Sequence, residues 1–256
     1  MSNSLNSAEV PARDATKELY FELLSGASGL LLALFMWGHM VLVGSILTGA
    51  RGFDWLAGWL EDYYIAQPTV AVILALFLVH AALASRKIPA QLAERRRMIA
   101  LGKGLAHAGR DRPASASAIS PAQPHIESLL WIWQVRTGMV ILVLGSFHVL
   151  LLGLDVLTPL FGERTGIEAL SSLARVQGGL WLPYAILLIC VEFHASVGLY
   201  RLAVKWGGGR FLSRQALHNI ERVLLWFFLG LGVAVLLVLA GVLAPPLAFL
   251  LSAPVT

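Results

Sequence analysis

Cysteine occurs once in the chain, at Cys190. A single thiol within an apolar run excludes an internal disulfide and a cysteine-built metal site, and reads as a small buried apolar residue. Charge is scarce as well: Asp, Glu, Lys and Arg make up 13% of the 256 residues, against about 25% in a soluble domain. Residues 1–20 lack the apolar core of a signal peptide, being polar and mixed in charge, and the first apolar run starts near Leu23. What is abundant is hydrocarbon. Hydrophobic residues reach 57% and mean hydropathy is +0.74, which excludes an ordinary soluble domain and points to an integral membrane protein. The net charge of +4 then reads as Lys/Arg enrichment of cytoplasmic loops, with no nucleic acid as partner.

Five apolar runs approach the roughly 20 residues needed to cross a bilayer. They predict spans at 23–47, 68–84, 129–154, 180–204 and 223–244. Together they make a transmembrane domain over 23–244, between a cytoplasmic segment (1–22, with a short amphipathic helix near Ala15–Leu23) and an outer-side tail (245–256) opened by Pro245-Pro246. Residues 48–67 and 155–177 are expected as polar connections. The long loop 86–127 is expected to hold an amphipathic helix over Pro89–His107 and an Ala/Ser/Pro-rich linker over Ala114–Pro124. Basic residues number eight in 86–127 and five in 201–222, against one in 48–67 and two in 155–177. Positive loops stay inside, so the N-terminus is expected in the cytoplasm and the C-terminus outside.

Ionisable groups are expensive in hydrocarbon, which makes each one inside a span a candidate functional residue. Four histidines qualify, on four different spans: His39, His80, His148 and His194. Counted from the cytoplasmic ends at 1.5 Å per residue, His39 and His148 lie ~24 and ~28 Å deep, and His80 and His194 ~8 and ~15 Å. Two levels roughly 15 Å apart, each with two imidazoles on different helices, match the needs of two bis-histidine haems in a four-helix core. The expected fold class is therefore all-α, with five transmembrane helices, four of them bundled around two haems b. Gly38, Gly145 and Gly198, near the histidines, are candidates for close helix approach. His107 and His218 read as solvated, whereas His125, just before the third span, is a candidate partner for a haem propionate.

Five stretches carry a family likeness: Leu34-Phe-Met-Trp-Gly-His-Met40, His80-Ala-Ala-Leu-Ala-Ser-Arg-Lys-Ile-Pro89, Leu130-Trp-Ile-Trp-Gln-Val-Arg-Thr-Gly138, Gly145-Ser-Phe-His148 and Glu192-Phe-His-Ala-Ser-Val-Gly-Leu-Tyr-Arg-Leu-Ala-Val-Lys-Trp-Gly207. Over roughly 25–207 the chain resembles the dihaem cytochrome b anchor of quinol:fumarate reductases, the single five-helix form in the succinate:quinone oxidoreductase family. The resemblance implies a bacterial cytoplasmic-membrane subunit of anaerobic respiration. Fumarate chemistry would sit on an FAD-containing flavoprotein partner, fed by an iron–sulfur subunit on the cytoplasmic side. The anchor would oxidise menaquinol and pass electrons from the His39/His148 haem to the His80/His194 haem and on to the iron–sulfur partner. It further implies that Glu61 takes up the quinol proton, that Glu192 belongs to a transmembrane proton path, and that Trp131, Arg175 and Lys205 stand near haem propionates. Where the family has a polar pair at the start of the first span, this chain has Ser25-Gly26.

Rival readings are the same anchor working as a succinate:quinone reductase, the cytochrome b of a hydrogenase or formate dehydrogenase, and a haem-free proton-coupled transporter. Reaction direction, the side bearing the iron–sulfur subunit and haem absorption discriminate them in turn. Quinone species and oligomeric state, a dimer of the complex included, are left open by the sequence.

Overall fold

The computed structural model describes residues 15–110, 126–158 and 168–251. Helices joined by short turns make up these residues, with no strand among them, and five helices are long and apolar enough to cross a membrane.

The first span is longer than its apolar run. Helix α1 covers Ala15–Gly44, because the short amphipathic helix expected at 15–23 continues without a break into the membrane segment. At its end the hydroxyls of Ser45 and Thr48 donate to the carbonyls of Leu42 and Ser45, which satisfies orphan acceptors of the last turn. The expected polar connection is itself a helix, α2 (Ala50–Asp62). Its four charges mask an apolar pair one turn apart, Phe53 and Ala57, both buried. Helix α3 spans Ala66–Ser85 and α4 spans Ile88–Arg110, close to the amphipathic segment expected at 89–107.

Helix α5 covers Ile126–Leu157. The short α6 (Ala169–Arg175) follows, and a π-turn at Val176–Leu180, kinked at Gly179, leads into α7 (Trp181–Lys205). Helix α8 runs from Arg214 to Leu239. It begins nine residues before the expected span, at the Ser213 N-cap, whose hydroxyl accepts from the Ala216 N–H at 3.1 Å. Beyond Pro245-Pro246 the chain turns back, and the Leu247 N–H donates to the Leu47 carbonyl at 2.9 Å.

Helices α1 and α7 form the centre: α1 packs on α3, α7 and α8, and α7 packs on α5, α8 and α1. The chain therefore makes two helix pairs, α1/α3 and α5/α7, which face each other, with α8 across their seam. One end of the bundle carries α4 and the turn after α7 and is basic. At the far end α2, α6 and the end of α8 join in a close-packed cluster of Ile46, Leu47, Phe53, Ala57, Ala169, Val176, Val235, Val238 and Leu239. The flanks of α3 and α5 expose Val70, Leu74, Leu78, Leu142, Val143 and Leu150, as a lipid-facing surface does.

Candidate functional site

Two cavities lie between the helix pairs, one above the other. The cavity toward the basic end is about 580 Å³ and is lined by His80 of α3 and His194 of α7. The cavity toward the far end is about 240 Å³ and is lined by His39 of α1 and His148 of α5. The levels expected from residue counting are thus the levels at which the rings meet. His80 and His194 have ring centroids 6.3 Å apart and planes turned by 89°. His39 and His148 repeat the 6.3 Å spacing, with planes turned by 62°.

The surroundings fix the tautomer of the basic-end pair. His194 Nδ1 lies 2.9 Å from the Gln134 carbonyl and His80 Nδ1 3.2 Å from the Ser25 carbonyl. A carbonyl only accepts, so both rings donate from Nδ1 and keep the lone pair of Nε2 for something else. Ser28 gives its own proton to the Ser25 carbonyl at 3.1 Å, so its oxygen, 3.3 Å from His80 Nδ1, accepts from the same N–H. At the far level His148 Nδ1 meets the Tyr184 hydroxyl at 3.3 Å.

Both basic-end rings lie, at a glycine, against the other helix of their own pair. A Cβ at Gly29 would come within 2.9 Å of His80 Cε1, and one at Gly138 within 2.8 Å of His194 Cε1. These, and not Gly38, Gly145 or Gly198, are the glycines on which the histidine rings rest. Each lies ten residues before the far-level histidine of its own helix (Gly29 to His39, Gly138 to His148), a rise of ~15 Å. Spacing, rather than adjacency to a histidine, was the legible signal.

A metal–imidazole bond of about 2 Å, with nitrogen about 1 Å from its ring centre, puts two axial rings about 6 Å apart. Both pairs have that separation. Among the described residues no group of three or more His, Cys, Asp or Glu gathers as a metal site, so a metal at either level would have two protein ligands and need the rest from elsewhere. A porphyrin supplies four. The imidazole pair at either level is a donor set that would suit a haem b.

The other expected residues divide. Lys205 lines the basic-end cavity and forms an ion pair with Glu22, which also pairs with Lys87 and so ties α1 to the ends of α3 and α7. Arg175 lines the far cavity, 4% exposed, and is ion-paired with the fully buried Asp155. Glu192 is 1% exposed, lines the far cavity and has one carboxylate oxygen with no hydrogen-bond partner among the described residues. It stands two residues from His194 yet opens onto the other level.

Glu61 is on the surface helix α2, half-buried, and does not line the far cavity; Phe53 of the same helix does. Trp131 is half-buried on α5 and lines neither cavity. His125 lies outside the described residues, as do the side chain of His107 and the linker 114–124. His218, expected to be solvated, is half-buried. Its ring stacks on Tyr200 at 4.0 Å, with its nitrogens 3.8 and 3.6 Å from the carboxylates of Glu127 and Glu221. Residue-type reasoning passed over Tyr184, Gln134 and Arg201, although Arg201 donates to the Gln134 side chain at 2.6 Å and so steadies the residue that holds His194.

Comparison with known proteins identifies relatives of the chain. Two curated relatives are each a fumarate reductase cytochrome b subunit. One, from Helicobacter pylori, is 32% identical over 219 residues, covering 82% of this chain and 76% of the relative. The other, from Wolinella succinogenes, is 33% identical over 189 residues, 71% of this chain and 64% of the relative. Residues 110–239 match the family model described as succinate dehydrogenase/fumarate reductase transmembrane subunit. A bundle of five membrane-length helices with paired histidines, and relatives aligned over most of its length, place the chain in the succinate dehydrogenase/fumarate reductase transmembrane subunit family.

Proposed function

We propose that this chain is the dihaem cytochrome b subunit of a menaquinol:fumarate reductase, and that it anchors the catalytic subunits on the cytoplasmic face. The two facing histidine pairs, equal in spacing and one above the other, carry the reading. His80 and His194 would hold one haem and His39 and His148 the other, each through Nε2. Haem at both levels would supply one-electron relay across most of the membrane. The cytochrome b relatives support haem as cofactor, and their fumarate reductase names favour that direction over succinate oxidation.

The chain's own residues would do the rest. Gln134, Ser25 and Ser28 hold the ligand rings by Nδ1. Lys205 and Arg175, cations lining the two cavities, would partner haem propionates, and Trp131 and His125 belong to the same expected set. Each menaquinol oxidised must lose two protons, so an acid–base group is needed at the far end. Glu61, at that end on α2, is the candidate acceptor. Glu192, buried with an unpartnered oxygen, suits reversible protonation between the two levels. The basic end, by its Lys/Arg content, would face the cytoplasm and dock the iron–sulfur subunit, behind which the flavoprotein reduces fumarate.

The test is a redox-titrated visible spectrum of the complex with its native partners. Two b-type haems per chain are expected, one lost in His39→Ala or His148→Ala and the other in His80→Ala or His194→Ala. A single haem indifferent to His39 and His148 would sink the dihaem reading.

A further inference from the structure

Asp155 stands in a stretch that reads as a solvated connection, yet it is 0% exposed. It lies seven residues beyond His148 on α5, two helical turns on and so on the same face. Its carboxylate accepts from Arg175 Nη1, while Arg175 Nη2 donates to Ser172 Oγ at 3.0 Å. The guanidinium is thus gripped from α5 and from one turn back on its own helix. That helix, α6, is itself fixed from a third element: the Ala169 N–H donates to Asp54 Oδ1 of α2 at 2.8 Å.

The arrangement has a direction. Arg175 and Ser172 line the far cavity and Asp155 does not, so the carboxylate holds the guanidinium from behind. Among the described residues lining that cavity, Arg175 is the one permanent cation. A cation this deeply buried needs a partner to remain charged and still. Tyr184, which also lines that cavity, shares a further side-chain hydrogen bond with Arg175. A guanidinium carries five N–H donors, enough to serve these partners and also meet an anion inside the cavity.

We infer that Asp155 is a positioning residue: its carboxylate aims Arg175 at an anionic group of the far-cavity occupant, a propionate of the far haem, and so helps set the potential at which that level accepts an electron. The inference rests on the dihaem reading above. It has a sign that a bare charge effect lacks. A fixed cation favours the incoming electron, so losing or misplacing Arg175 lowers the midpoint potential. Loss of the Asp155 charge by itself would raise it.

The experiment is a redox titration of the whole complex, the far-level haem being assigned by its loss in H148A. Asp155→Ala is expected to shift the far midpoint downward, in the direction of Arg175→Gln, with the basic-end midpoint unmoved. The double variant D155A/R175Q is expected to fall no lower than R175Q alone, and Asp155→Asn, which keeps an acceptor oxygen, to stay closer to wild type than D155A. An upward or absent shift in D155A overturns the inference, as does a further downward shift in the double variant. Where D155A fails to assemble, Ser172→Ala decides, because it loosens the same guanidinium without stranding a charge: a smaller downward shift sustains the inference and none overturns it. Absence of a second haem in the wild-type complex would instead strike the dihaem reading itself.

Discussion

An imidazole holds a metal through a nitrogen that carries a lone pair, and at His194 the backbone of a neighbouring helix decides which nitrogen that is. The Gln134 carbonyl takes the Nδ1 proton, and Gly138 one turn along lets the ring lie against α5. Gly138→Leu is therefore expected to abolish the basic-end haem while the far one persists, seen as loss of one of two components in the visible redox titration. Glu61→Gln is expected to lose quinol oxidation while keeping both haems and fumarate reduction by artificial donors; unchanged quinol oxidation would remove Glu61 from the mechanism. The four histidines were legible in the sequence because an ionisable side chain in an apolar run is conspicuous. Their helpers were not. Gln134 acts through its main chain, and Ser28, Tyr184 and Gly138 are ordinary residues in a helix until another helix lies against them.

At the scale of elements, the five apolar runs each fall on one of the five membrane-length helices, the last run extending past the end of α8 at Leu239. They understated α1, α5 and α8, because hydropathy measures how long the chain sits in hydrocarbon whereas helical hydrogen bonding continues into water. The Ser213 cap was a local sign of where α8 starts. Helix α2 was missed for another reason: Arg51, Asp54, Glu61 and Asp62 made 48–67 look like a loop, though Phe53 and Ala57 supply a buried stripe. One of those charges is structural. Asp54 accepts from the first amide of α6, one of the donors that a helix start leaves without an intrahelical partner, so Asp54→Ala should cost about 1 kcal/mol of local stability. Faster hydrogen exchange of the α6 amides, with exchange in α8 unaltered, is the expected readout.

At the scale of the whole molecule, the chain is a multi-pass membrane protein whose asymmetry of charge predicts its orientation. In a Cys190→Ser background, Trp55→Cys is expected to react with a membrane-impermeant thiol reagent on intact spheroplasts and Arg97→Cys only after permeabilisation; the reverse pattern would invert the topology. Depth along each span could be counted because every helical residue advances by the same step. How the spans pack could not, since it depends on which faces meet, and hydrophobic residues surround each helix almost uniformly.

The ten-residue interval from Gly29 to His39, repeated from Gly138 to His148, makes α1 and α5 two matched rulers. The separation of the two histidine levels is written in the pitch of single helices and owes nothing to the connections between them. A residue inserted within either interval would turn every later side chain by about 100° and dismantle one level to keep the other. The stretch between α4 and α5 lies outside both intervals, so its length can change freely without altering that separation.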